Sequence, residues 1–375
     1  MFKFDFSGED IDADVGNEGT NGSSTNDQYE QNSGNNPASG SYQAEIYDVS
    51  DLLVNLPSRM SYSLLPVSAE CDLTQITNRI PRREVFDIRL QIMAEEEVVS
   101  IDDGNEMVTD HQIRLREEAK LLLSNTEDLR TEFYEGGLKS WEGAGDLVEY
   151  LHENSARVGN GVLELGCGSA LPSIYLFQKL VHEIRSGQKP TVPIVFFMAD
   201  YNFTVLRFMT ASNFILAYYN IVHQSIADIE SSADVDMSIS GNLVAEFLAF
   251  LNENHISIKF ISGAWDSHRF ASIMGSIGNE APLRYSYVFA SETIYSPATL
   301  PSFTTLLLDS VTFWKLDSTE QAMALVAAKE IYFGVGGSVR EFMERVAVLK
   351  GKAEIAKRIT GKYSGVARVI MNVSK

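Results

Sequence analysis

The chain has 375 residues, of which 45 % are hydrophobic and 10 % aromatic, and its 30 basic against 51 acidic side chains give a formal charge of −21. That apolar content is enough for one sizeable core, while the charge argues against nucleic acid as a partner, because affinity for phosphate backbones rests on Lys and Arg displacing counterions. Two cysteines, Cys71 and Cys167, are too few for a disulfide framework or a thiolate metal site, and no apolar run approaches the roughly 18 residues that cross a bilayer. The opening Met1-Phe2-Lys3-Phe4-Asp5-Phe6 lacks the basic region and apolar stretch of a secretory signal. A monomer in a reducing compartment, cytoplasm or nucleus, without metal or membrane, is therefore expected.

In chain order, the first 55 residues carry eleven acids against the single Lys3. From Gly16 to Gln43 the sequence is mostly Asn, Gly, Ser, Thr and Gln, too polar to offset chain entropy, so residues 1–50 are expected to be a disordered acidic tail. Residues 51–136 form an N-terminal extension. Its stretch from Val54 to Asp110 has prolines at 57, 66 and 81 and no assignable pattern, while His111 to Leu129 places Ile113, Leu115, Ala119, Leu122 and Leu123 at helical spacing among charges, an amphipathic helix.

Residues 137–375 alternate β-rich apolar runs with helical segments, the pattern of a parallel α/β sheet flanked by helices. Strands are predicted at Val162–Leu165, Ile194–Ala199, Ile256–Ile261, Tyr285–Ala290, Ala322–Ala327, Ala353–Arg358 and Val366–Val373. Helices are predicted at Leu171–Ile184, Thr204–Tyr219, Leu243–Asn252, Leu300–Phe313 and Arg340–Val348.

The first of these strands runs into Gly166-Cys167-Gly168-Ser169-Ala170-Leu171-Pro172, a small-residue turn followed by a helix with proline in its first turn. Gly166 and Gly168 permit positive φ and let a ligand lie against bare backbone, which suits a nucleoside-type cofactor; a glycine turn used only for packing is the alternative. A dinucleotide fits less well, since the third glycine or alanine of that fingerprint is replaced by Leu171 and the acid ending the second strand, Asp200, lies too far along the chain. Asp200 stands where open α/β sheets bind ligands and could accept ribose hydroxyls, or it could cap the helix beginning near Thr204.

Taken together, Gly136-Gly137-Leu138-Lys139-Ser140-Trp141-Glu142, Leu163-Glu164-Leu165-Gly166-Cys167-Gly168, Asp200-Tyr201-Asn202, Ser262-Gly263-Ala264-Trp265, Ser291-Glu292-Thr293-Ile294-Tyr295 and Tyr332-Phe333-Gly334-Val335-Gly336-Gly337 resemble the histidine protein methyltransferase family, also called methyltransferase-like protein 18. The likeness covers about Glu127 to Val373. It implies a Rossmann-like, seven-stranded class I methyltransferase sheet and S-adenosyl-L-methionine as cofactor. It also implies methyl transfer to a histidine of a basic protein, the large ribosomal subunit protein L-three. The sequence departs from the family at Gly143-Ala144, where Cys followed by Ser or Thr is usual, and at Ala170, where glycine is common.

By the same resemblance, Ser140, Trp141, Glu142, Gly143, Ala144, Glu164, Gly166, Gly168, Asp200, Tyr201, Asn202, Gly263, Ala264, Trp265 and Ser291 surround the cofactor. Trp265 could lie against adenine and Trp141 over the methionine end, the alternative being that both are core aromatics. Glu292 or Tyr295 would orient the target ring, Glu292 also accepting its proton, or else Glu292 bonds to backbone and Tyr295 packs. Gly334, Gly336 and Gly337 are placed at the substrate entrance, with a plain turn as the alternative. His182, His223 and His268 occur singly, without ligand spacing, and read as structural. Two other readings remain open: a lysine-directed enzyme of the same fold, and a non-catalytic module that keeps the cofactor fold.

Overall fold

The computed structural model describes residues 43–101, 135–224, 235–266, 268–280, 287–313, 323–360 and 366–375. The tail through residue 42 and the amphipathic segment His111 to Leu129 lie outside the described residues. Among those residues the strands are β1 Glu45–Asp48, β2 Arg59–Pro66, β3 Arg79–Arg83, β4 Gly161–Leu165, β5 Ile194–Asp200, β6 Val235–Ser238, β7 Ile256–Ser262, β8 Tyr287–Ser291, β9 Met323–Lys329, β10 Lys352–Ile359 and β11 Arg368–Ser374. The longer helices are α1 Val85–Ile101, α2 Glu142–Glu153, α3 Leu171–Arg185, α4 Ala211–His223, α5 Gly241–Glu253, α6 His268–Glu280, α7 Leu300–Phe313 and α8 Val339–Val348.

Strands buried on both faces belong in the middle of a sheet, and β4, Gly-Val-Leu-Glu-Leu, is buried at every position. It pairs in parallel with β5 on one side and β8 on the other. The large sheet runs β1-β7-β5-β4-β8-β9-β11-β10, with β11 antiparallel to both β9 and β10. All seven predicted strands are present in it. At its far edge β10 alternates exposed Lys352, Glu354, Ala356 and Arg358 with partly covered residues, and the charges of Lys352, Glu354 and Arg358 discourage pairing with a further strand.

Alternation along β5 separates two cores. Phe196 and Met198 join one apolar cluster with α3, α4 and α5, where Phe177 meets Phe196 and Phe214 edge-to-face at centroid distances of 5.7 and 5.1 Å. Phe197 and Ala199 join the other, with α6, α7 and α8.

The structure differs from the sequence reading at three places. Glu45–Asp48, within the stretch read as disordered, is a strand, because its antiparallel pairing with β7 is supported by the Tyr47 ring against Phe203 at 4.7 Å and by an ion pair between Asp48 and Lys259. The unassigned stretch after it supplies β2 and β3 of a small antiparallel sheet, β3-β2-β6, completed by β6 from further along the chain. Pro81 is tolerated because β3 is an edge strand and Pro66 because it ends β2. The predicted helix at Thr204–Tyr219 is a helical turn at Phe203–Val205, a π-helical stretch at Leu206–Thr210, then α4.

Arg83 fastens the small sheet to this last segment. Its guanidinium is fully buried and donates to Asp87 at 2.7 Å, Gln91 at 2.8 Å, the Phe208 carbonyl at 3.1 Å and Ser212 at 3.3 Å, while its amide donates to Asn213 Oδ1 at 2.9 Å. Removing one partner of such a network strands buried polar groups, so Arg83→Ala is expected to cost about 3–5 kcal/mol. The check is the urea midpoint of the purified variant; an unchanged midpoint would show the network to be dispensable.

Candidate active site

Parallel strands all end on one side of their sheet, and the loops leaving β4, β5, β7 and β8 build one cleft there. The cleft is open to solvent, with about 690 Å³ of space between its walls and the bulk. Of the residues singled out in the sequence, Trp141, Ala144, Gly166, Gly168, Asp200, Tyr201, Asn202, Trp265, Ser291, Glu292 and Tyr295 line it.

The turn after β4 takes the left-handed conformation three times, at Gly166 (φ 64°), Gly168 (φ 49°) and Ala170 (φ 53°). At Gly166 a Cβ would lie 2.7 Å from the Thr293 methyl, and at Gly168 it would lie 3.0 Å from the Gly137 carbonyl, so bare backbone is needed for space as well as for angle. The carbonyls of the turn are held from behind: Thr210 donates to the Gly168 oxygen at 2.6 Å and Asn213 to the Ser169 oxygen at 2.8 Å. In front, Gly168 N donates to Asp200 Oδ2 at 3.0 Å and Asn202 N to Oδ1 at 3.1 Å. Asp200 therefore braces the turn instead of capping the helical segment at Thr204. Burial pushes its carboxyl up to about 6 against the pull of those amides.

Two buried polar atoms on the cleft wall, Trp265 Nε1 and Thr293 Oγ1, lack a hydrogen-bond partner among the described residues. Unpaired buried groups are costly, and a polar ligand between them and Asp200 would satisfy both. The Trp265 ring is seated on Phe303 at 5.2 Å.

On the opposite wall Glu292, directly after β8, is a non-glycine residue at φ 55°, a strained conformation of the kind that clusters at functional sites. Its amide donates to the Ala327 carbonyl at 2.9 Å, Oε1 accepts from Gly143 N at 3.2 Å and Oε2 from the Tyr332 hydroxyl at 2.5 Å. Burial holds its carboxyl above the ordinary range. Burial, and after it the charge of Asp200, raises the Tyr295 phenol.

The remaining sequence candidates lie outside the lining. Ser140 donates to Ser169 at 3.3 Å, Glu142 pairs with Lys329 at 3.4 Å and Gly143 donates to Glu292. Glu164 is buried under the turn, where it accepts from the amide and hydroxyl of Ser173 in the first turn of α3, and burial pushes its carboxyl up to about 8. At Gly263 a Cβ would meet the backbone of Gln43 and Ala44, so that glycine admits the start of β1, with Ala264 next to it. Gly336 lies against Pro297 and Gly337 against the backbone of Ile294 and Tyr295, while Gly334 is exposed with open space around it. Conversely, Gly137, Lys139, Cys167, Ser169 and Thr293 line the cleft without having been singled out. Each lies inside or beside a quoted motif, so the available signal was position within the loop.

A largely parallel sheet that delivers a braced glycine turn and a carboxylate to one cleft at its strand ends is the framework of a class I methyltransferase. No family model matches the chain. It is 35 % identical over 277 residues to histidine protein methyltransferase 1 of Saccharomyces cerevisiae, covering 70 % of this chain and 67 % of that protein. It is 30 % identical over 322 residues to the protein of the same name in Schizosaccharomyces pombe, covering 85 % and 82 %. The chain belongs to the histidine protein methyltransferase 1 family; it is a methyltransferase, with S-adenosylmethionine as its methyl donor.

Ala170 is fully buried and begins α3 in the left-handed conformation, which costs a residue with a Cβ roughly 1–2 kcal/mol, whereas glycine loses roughly 0.5–1 kcal/mol of chain entropy. Ala170→Gly should therefore stabilise the protein by about 0.5–1 kcal/mol, measured as a rise in thermal midpoint; a fall would show that the methyl's packing outweighs the strain.

Proposed function

We propose that the chain transfers a methyl group to a ring nitrogen of a histidine in a basic protein, the large ribosomal subunit protein L-three. The observation that carries this reading is the buried Glu292 carboxylate, which shares one cleft with the glycine turn, Asp200 and Trp265. The name borne by the relatives supports the acceptor class, the family resemblance supports the target, and the charge of −21 suits a basic partner. Cytoplasm and nucleus, where free thiols such as Cys71 and Cys167 persist, are the proposed setting.

When bound, S-adenosylmethionine supplies an electrophilic methyl on a sulfonium. Asp200 would accept ribose hydroxyls, Trp265 and Thr293 would give their unpaired polar atoms to the nucleoside side, and the bare backbone of Gly166 and Gly168 would admit close approach. Trp141, with Lys329 5.4 Å above its ring, closes the other end beside Ala144.

On the acceptor side Glu292 would accept the N–H of the substrate ring, fixing the tautomer so that the other nitrogen offers its lone pair, and would take the proton released on methylation. Tyr295 packs beside it, and the run Gly334 to Gly337 borders this side, where a polypeptide would enter. A lysine acceptor fits less well, because a buried carboxylate favours the ammonium form, which has no lone pair to donate.

Transfer of labelled methyl to L-three, followed by mass spectrometry of the modified side chain, tests the reaction. Methylhistidine is expected, and methyllysine would overturn the acceptor assignment. Asp200 gives a second test through binding of the donor. The ionised form is the one that accepts hydroxyls, so affinity measured by calorimetry should fall as the pH is lowered through about 6 and level off above it. Asp200→Ala should weaken donor binding by about tenfold or more. Unchanged affinity in the variant would remove Asp200 from the donor site.

A further inference from the structure

One contact on the acceptor side lies beyond what proton acceptance by Glu292 itself requires. The Tyr332 hydroxyl donates to Glu292 Oε2 at 2.5 Å and itself accepts from the Lys329 amide at 3.3 Å. With that amide facing it, the phenol is fixed as a donor toward the carboxylate. Gly143 N holds Oε1 at 3.2 Å, so each oxygen has one lone pair tied down and one left.

The chain around Tyr332 is built to keep it there. Tyr332 N donates to the Gly337 carbonyl at 2.9 Å, Gly336 N returns to the Tyr332 carbonyl at 3.1 Å, and Gly337 N donates to the Tyr295 carbonyl at 3.0 Å. A Cβ on Gly337 would overlap the backbone of Ile294 and Tyr295, so only glycine lets this loop seat against the segment that carries Glu292. The Tyr295 and Tyr332 rings meet edge-on at 6.5 Å. A glycine-rich run conspicuous in the sequence thus serves as the mount of one phenol.

We propose that Tyr332 is a positioning residue for methyl transfer, acting through Glu292 by fixing the orientation of its carboxylate so that a free lone pair faces the substrate ring. The proposal rests on the reading of Glu292 as the group that accepts the ring N–H. The charged groups that influence Glu292 are Lys329, which favours its ionised form, Glu142, which opposes it, and Arg368. Against the burial that raises the carboxyl, the Tyr332 hydroxyl is the largest opposing influence. Loss of that hydroxyl should leave Glu292 protonated up to a higher pH.

The test uses the full-length enzyme, with L-three as methyl acceptor, and follows kcat/KM against pH. Tyr332→Phe keeps the ring and is expected to move the acid limb upward by about one pH unit while donor affinity by calorimetry stays unchanged. In a Glu292→Gln background the same substitution should move nothing further. An acid limb that stays in place, or one that moves equally with Gln at 292, would overturn the proposal. Incorporation of 3-fluorotyrosine at 332 retains the volume with a stronger donor and should move the limb downward. To separate this from failure of the reaction assignment, the protonation of Glu292 is read directly as the infrared carboxyl band lost in Glu292→Gln. An upward shift of that titration in Tyr332→Phe would support the contact even if L-three is not methylated, and no shift would sink it.

Discussion

Everything on the Asp200 side of the cleft depends on a turn that cannot hold its own shape. Gly166, Gly168 and Ala170 at positive φ leave carbonyls pointing away from the cleft into a buried region, where unpaired oxygens are penalised. Thr210 and Asn213 answer them, and both belong to the interrupted helical segment between β5 and β6. The π-helical stretch ends at Thr210, and a π-turn is a way to re-aim a side chain within an otherwise regular helix. Asn213 is bonded on both sides, donating to Ser169 and accepting from the Arg83 amide. Through it the small sheet, remote from the cleft in sequence, is hydrogen-bonded to the turn, and the fully buried Arg83 guanidinium fixes the same segment at Phe208 and Ser212.

The Glu292 side has a different source of rigidity. Strain at Glu292 is sustained because backbone and both carboxylate oxygens are each held by a separate element: β9 through Ala327, α2 through Gly143, and the loop after β9 through Tyr332. Helix α2 is in turn fixed to the sheet where Arg368 on β11 grips both oxygens of the nearly buried Asp146, at 2.5 and 3.1 Å. The bidentate geometry sets direction as well as attraction. Trp141, one residue before α2, takes its place in the cleft from that anchorage.

How much of this could be read from sequence follows from what each residue answers to. The seven strands were legible because strands covered on both faces leave runs of Val, Ile, Leu and Phe, and the turn after β4 was legible because close backbone approach demands glycine. The strand at Glu45–Asp48 was hidden by its acidic surroundings: its stability comes from pairing with β7, a partner two hundred residues away that no local pattern reveals. Pro81 concealed β3 for the converse reason, since a rule against proline in strands has no force at an edge. Glu164 was read as facing the cofactor, yet strand alternation turns its side chain under α3, toward Ser173. Tyr332 opens a run whose glycines point to backbone, and no local pattern reveals that its hydroxyl finds a partner forty positions back.

The departure at Gly143 and Ala144 takes on a physical meaning in this setting. A Cβ on Gly143 would lie 2.9 Å from Glu292 Oε1 and 3.2 Å from its Cγ, so a larger residue would have to displace a carboxylate that Tyr332 already holds at its other oxygen. Ala144 lines the cleft without the hydroxyl that the family resemblance leads one to expect there. Gly143 lies in the first turn of α2, where the amides have no intrahelical acceptor and the helix dipole is positive. A bare amide there can approach the carboxylate directly, favouring its ionised form at a place where burial opposes ionisation. The exchange therefore leaves only a methyl on the cleft wall at 144 and gives room and a close N–H to the Glu292 carboxylate at 143. Gly143 and Tyr332 act on the same group from opposite directions, one oxygen each, which makes the orientation of Glu292 a property of three chain segments together.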